Sequence, residues 1–168
     1  MKKPILAADI IPGLSAGGFT LGQKLTEFDS GTLMKKRWKS EDGSLIDAIY
    51  STDDFFVADL EDFTDEKGVR IYFSRGALGL HFSAAGTLFH IAVSSGYTGS
   101  FLNRFGIGTP AREVQEMFEL SFDDGDEMHY PQKSSGLEGI AFHIDDGSDD
   151  GLVPPCICGI SIYNWTMQ

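Results

Sequence analysis

Val69-Arg70-Ile71-Tyr72-Phe73-Ser74-Arg75-Gly76-Ala77-Leu78-Gly79-Leu80-His81-Phe82-Ser83-Ala84-Ala85-Gly86-Thr87-Leu88-Phe89-His90-Ile91-Ala92-Val93 is the stretch that decides the fold. Val69, Ile71 and Phe73 alternate with Arg70, Tyr72 and Ser74. After the turn at Arg75-Gly76, Leu78, Leu80 and Phe82 alternate with Gly79, His81 and Ser83. A second turn at Ala85-Gly86 leads to Phe89, Ile91 and Val93, alternating with His90, Ala92 and Ser94. A period of two is the mark of strands with one buried face. Folding both hairpins on their turns pairs Phe73 with Leu78, Ile71 with Leu80, Val69 with Phe82, Phe82 with Phe89 and Leu80 with Ile91. All nine apolar residues then share one face, and a slip of one residue would turn a strand's set to the other face. The same register lines up Arg70, His81 and His90 in a cross-strand row on the opposite, solvent-facing side. Their Cβ atoms are expected about 4.5–5.5 Å apart.

Downstream, Thr109 and Pro110 read as N-cap and first helical position. Val114, Met117 and Phe118 supply a buried stripe, so a helix of about ten residues is expected there. Phe105-Gly106-Ile107-Gly108-Thr109 echoes Phe19-Thr20-Leu21-Gly22-Gln23, which leads to Leu25 and Phe28. Both read as an aromatic, an aliphatic, a glycine, a polar residue and a short helix. The echo suggests two related halves, each a short helix followed by strands. Towards the C-terminus, Ile140, Phe142 and Ile144 alternate like Cys158, Ile160 and Ile162, giving one long hairpin. Its loop, roughly 145–155, holds four Asp, two Gly and two Pro. It is too polar to bury and longer than a turn needs, and such loops tend to carry function. Between Met34 and Tyr50, two strands are expected around the turn Glu41-Asp42-Gly43. These elements describe one α+β domain over 1–168, with a central antiparallel sheet and a few short helices on one face.

Charge is distributed unevenly. From Glu113 onward there are twelve Asp or Glu and one basic residue, Lys133, so this third carries 1 − 12 = −11 of the chain's −12. The acid falls in two clusters: Asp123, Asp124, Asp126 and Glu127, then Asp145, Asp146, Asp149 and Asp150. Such a field attracts basic partners and repels nucleic acid and anionic membranes. The chain length and 42% hydrophobic content, with thirteen Phe, suffice for a core. No stretch nears the roughly 20 apolar residues of a membrane span. The apolar run after Met1-Lys2-Lys3 ends at Asp9, short of the roughly 7–15 residues an export signal needs, so a cytoplasmic protein is expected. Cys156 and Cys158 would lie about 7 Å apart on an extended strand, at the limit of disulfide reach. They are expected as buried thiols.

Few residue sets in the chain match a known chemistry. Asp146-x-Ser148-x-Asp150-Gly151 opens like a calcium loop, but the twelfth position is Ile157 rather than Glu. No metal and no cofactor are expected. Two imidazoles and a guanidinium at Arg70, His81 and His90 form a set able to cleave a phosphodiester. A polyanion-cleaving enzyme should nevertheless carry a basic groove rather than a net charge of −12. Neither cysteine has a nearby His to lower its pKa. There is no Gly-x-Ser-x-Gly elbow and no P-loop. The basic run Lys35 to Lys39 around Trp38 is too short for a nucleic-acid site. No catalytic residue is assigned.

Three segments carry a resemblance: Ile10-Ile11-Pro12-Gly13 leading into Gly18-Phe19-Thr20-Leu21-Gly22, Phe105-x-Ile107-Gly108 before a helix, and Leu137-Glu138-Gly139-Ile140-Ala141-Phe142. With them the chain resembles bacterial immunity proteins of contact-dependent growth inhibition and related polymorphic toxin systems. A similar glycine-helix-strand rhythm occurs in two-repeat proteins of the outer-membrane assembly lipoprotein and beta-lactamase-inhibitor type, which are exported. The resemblance implies a cytoplasmic protein that binds and neutralises one toxin domain without catalysis of its own; the acidic surface points to a basic nuclease as that toxin. The two acidic clusters are the expected contacts, each carboxylate meeting a Lys or Arg. The partner is a protein, not nucleic acid or membrane. Two other readings stand beside it: a small enzyme built on Arg70, His81 and His90, and a non-catalytic scaffold or assembly protein. An immunity protein should be encoded directly downstream of its toxin.

Overall fold

The computed structural model describes residues 2–59, 67–148 and 152–167. Its meander follows the alternation read above. In chain order the strands are β1 (Ser15–Ala16), β2 (Phe19–Thr20), β3 (Arg37–Trp38), β4 (Phe55–Asp59), β5 (Gly68–Phe73), β6 (Leu78–Ser83), β7 (Leu88–Val93), β8 (Leu120–Asp123), β9 (Met128–Pro131), β10 (Ile140–Asp145) and β11 (Cys156–Tyr163). Among the described residues, three short α-helices join them: α1 (Ser30–Lys35), α2 (Leu45–Ser51) and α3 (Ala111–Met117). Nine strands form one sheet in the order β3-β4-β5-β6-β7-β11-β10-β9-β8, and β1 and β2 form a separate ribbon. Among the described residues, the one parallel strand pair in this sheet is β3 with β4. The fold is α+β.

The order contains two four-stranded meanders, β4 to β7 and β8 to β11, meeting at β7 and β11. The seam pairs Val93 with Ile160, Ala92 with Ser161 and Ile91 with Ile162. Taking Val93 as the counterpart of Ile162, and Ile91 of Ile160, maps this pairing onto itself with Ala92 and Ser161 at its centre. The relation extends to the segments before each meander. Gly22 N donates to Leu88 O at 2.8 Å, and Gly108 N to Ile157 O at 2.7 Å. Leu88 N donates to Gln23 O and Ile157 N to Thr109 O, both at 2.9 Å. Gly22 and Gly108 have φ of +89° and +86°, a region that favours glycine. Phe19 and Phe105 are both fully buried. The echo in the sequence thus marks two halves of similar architecture.

One face of the sheet carries the main core. Ile71, Leu80, Phe82, Leu88, Ile91, Phe142, Ile157, Ile160 and Ile162 pack there with Phe19, Phe28, Leu33, Phe105 and Val114. Burial of this area supplies the main drive to fold. A smaller cluster lies on the second face, where Leu45, Ala48 and Ile49 of α2 pack on Trp38, Phe56 and Ala58.

Several expectations need correction. A bulge between His81 and Phe82 pairs Phe82 with Leu88, not Phe89, so Phe89 is the extra residue and leaves the core face. A second bulge, between His143 and Ile144, pairs Ile144 with Ile157 and leaves Cys158 as the extra residue. The two cysteines, expected as buried thiols, are free thiols but half-buried. The second strand expected before Tyr50 is α2. Ser44 caps it by accepting from Asp47 N at 3.4 Å, and its apolar residues follow helical spacing. Hence the helices are not confined to one face. The helix after Thr109 has seven residues and begins at Ala111, with Pro110 at the cap. Ala111 N is held by Pro155 O at 2.9 Å, while Thr109 Oγ1 accepts from Gly106 N instead of capping.

Candidate functional site

The two acidic clusters come from neighbouring hairpins. β9 runs antiparallel to β10, with Phe142 opposite His129. The β8–β9 turn and the β10–β11 loop therefore leave the sheet at the same end. Asp123, Asp124, Asp126, Glu127, Asp145 and Asp146 are all exposed there. Asp149 and Asp150 lie outside the described residues. Three of the six shape their own turns: Asp123 accepts from Gly125 N at 2.8 Å, Asp126 from Met128 N at 3.2 Å, and Asp145 from Gly147 N at 3.0 Å. Asp126 also accepts from the Tyr130 hydroxyl. Burial, followed by this bond to a carboxylate, raises the Tyr130 pKa. None of the six joins an ion pair among the described residues. The end of the sheet is a set of carboxylates on short, hydrogen-bonded turns, with no ion-pair partner among the described residues.

The polar row is present in the expected register, with Arg70 beside His81 and His81 beside His90. Its setting differs from expectation, because the row is largely enclosed rather than solvent-facing. His90 Nδ1 lies 2.8 Å from His81 Nδ1, and His90 Nε2 lies 2.9 Å from Ser161 Oγ. One of the two facing Nδ1 atoms must carry the proton and the other must be bare, so the pair cannot hold two cations. Burial first, then the charge of Arg70, lowers the His90 pKa to about 4. Burial, then His90 and Arg70, puts His81 well below the usual imidazole range. Both rings are neutral at neutral pH. Ser161 escaped the sequence reading because it reaches His90 only through the β7–β11 seam, whose partners are about seventy residues apart in the chain. The alternation of Gly159, Ser161 and Tyr163 was the one local sign that it faces the polar side.

At the other ends of β9 and β11 lies a cleft of about 710 Å³, lined by Tyr130, Leu137, Glu138, Tyr163 and Asn164 among others. Gly13 and Gly139, which also line it, approach closely: a Cβ on Gly139, at φ +76°, would sit 2.4 Å from Gly13 Cα. Among the described residues, no group of three or more His, Cys, Asp or Glu is arranged to hold a metal ion. No described helix is long and apolar enough to cross a membrane. The chain matches no family model, no curated protein and no solved structure.

Proposed function

We propose that this protein is an immunity protein, a non-catalytic inhibitor whose acidic sheet end enters the cationic substrate cleft of a toxin nuclease. The observation that carries this reading is the convergence of six exposed, ion-pair-free carboxylates on two adjacent turns. A surface that holds its charge on hydrogen-bonded turns loses little conformational freedom when it meets a basic partner. Charge of this kind acts mainly on encounter, raising association by about 10–10³-fold at low salt. Contacts that become buried also gain charge-assisted hydrogen bonds. The enclosed, neutral state of His81 and His90 favours the non-catalytic reading over an enzyme built on the Arg70 row.

Co-expression with the product of the gene directly upstream tests the proposal. A stable one-to-one complex is expected. Changing Asp123, Asp124, Asp145 and Asp146 together to Asn should slow association and flatten its dependence on salt. An unchanged rate would remove the acidic end from the contact. A His81→Ala variant that folds but no longer protects cells, while still binding, would revive the enzymatic reading.

A further inference from the structure

The two halves of the sheet are not equally covered. In the first, the row Val57–Ile71–Leu80–Ile91 crosses β4 to β7 and is fully buried. In the second, the corresponding row is Phe122–His129–Phe142–Ile160 across β8, β9, β10 and β11. Phe142 and Ile160 are buried, but Phe122 is 54% exposed. Its ring lies 4.9 Å from that of His129, whose Nδ1 is shielded from solvent without a hydrogen-bond partner among the described residues. The difference has a cause in the chain. The first half carries α1 and β3 between its N-terminal turn and its meander, whereas α3 is followed at once by β8. In the first half Leu33 of α1 joins the core with Phe28, Phe55 and Val57, and β3 covers the edge of β4. Among the described residues no strand pairs with the outer edge of β8, the edge strand of the second half.

The charges follow the same relation. In the first half Lys36 pairs with Asp54 at 3.8 Å and Arg37 with Asp59 at 3.1 Å. Matching Val57 with Phe122 places Glu119 at the position of Asp54 and Asp124 at that of Asp59. Neither Glu119 nor Asp124 has a side-chain partner among the described residues. The second half thus repeats the anions of the first but lacks the basic segment that answers them.

We infer that the face of β8 and β9 around Phe122 docks a basic, amphipathic segment of the partner protein. That segment lays an aliphatic side chain over Phe122 and His129 and brings cations to Glu119 and Asp124, the role α1 and β3 play in the first half. The inference rests on the proposed function for the identity of the partner and adds to it an apolar anchor. Such anchors govern dissociation, whereas the peripheral acid governs encounter.

The test uses the full chain, isotope-labelled, and a blocked ten-residue peptide with the sequence of residues 29–38. A second peptide has Glu in place of its Lys35, Lys36 and Arg37. The first should shift the resonances of Phe122, His129, Glu119 and Asp124. A Phe122→Ser variant with an otherwise unchanged spectrum should bind it about tenfold more weakly. Shifts confined to β4, equal binding of the charge-reversed peptide, or no binding would overturn the inference. So would sedimentation showing a dimer that Phe122→Arg dissolves, since the occupant would then be a second copy. With the toxin itself, Phe122→Ser should speed dissociation and leave the salt dependence of association alone. If the four Asp→Asn changes slow association while Phe122→Ser leaves dissociation unchanged, the docking face falls and the inhibitor reading stands. If the peptide binds as described and changing Asp123, Asp145 and Asp146 to Asn, with Asp124 kept, leaves association with the toxin unaltered, the acidic end falls instead.

Discussion

Tyr97 shows how much one side chain can hold. Its hydroxyl donates to Ala8 O at 2.7 Å and accepts from Gly17 N at 2.8 Å, tying the N-terminal segment to the segment after β7. Tyr97→Phe would strand both backbone groups and is expected to cost about 1–3 kcal/mol in urea unfolding. His81 and His90 make a prediction about pH. Their folded pKa values lie below the unfolded value of 6.5, so above that pH both states are neutral and the pair adds no pH dependence. As pH falls from 6.5 to about 4, the unfolded chain binds protons that the native fold refuses, and stability drops. For His90 alone the loss is on the order of 3 kcal/mol. Unfolding free energies measured across this range should show the slope, and replacing both histidines by Gln should flatten it. The sequence placed these two rings side by side, since strand period and turn position suffice for that. It could not give their burial, which depends on what the rest of the chain lays over the face.

Strands were more legible than their irregularities. Alternation located β5, β6, β7, β10 and β11, and six of the seven cross-strand contacts read for the meander and its polar row hold in register. A bulge adds one residue to one strand and leaves the apolar pattern on both sides nearly intact. Leu88 and Phe89 are both apolar, so no local signal favoured Leu88 as the partner of Phe82. The consequence is measurable. Leu88→Ala should cost about 2–5 kcal/mol, and Phe89→Ala clearly less, by denaturant unfolding. The α2 segment misled for a different reason. Glu41-Asp42-Gly43 is a good turn, but Ser44 after it caps a helix whose apolar residues find Trp38 and Phe56. Ser44→Ala should cost about 1 kcal/mol.

At the scale of the molecule, the halves interlock as well as abut. Thr98 N and Gly99 N both donate to Leu6 O, and Ile10 bridges to Phe101, so the N-terminal segment belongs to the packing of the second half. Fragments 1–94 and 95–168 should therefore each lack near-ultraviolet circular dichroism alone and recover it when mixed. The halves are unequal in cover, and that inequality places bare apolar surface beside the acid-rich end. Neither feature could be read from one strand at a time. The acidic loops were visible as composition, but their meeting at one end follows from the antiparallel pairing of β9 with β10.

By itself, the sequence determined the strands β5, β6, β7, β10 and β11 and most of their buried faces, the repeat of the glycine-helix lead-in and the concentration of negative charge in the last third. These are local properties, set by side-chain period, turn chemistry and composition over stretches of five to twenty-five residues. Tertiary structure alone decided the β7–β11 seam, the enclosure of the histidines with Ser161, and the exposure of Phe122. Each of those depends on contacts between segments far apart in the chain. Such contacts are selected by the packing of the whole core, which no local pattern encodes.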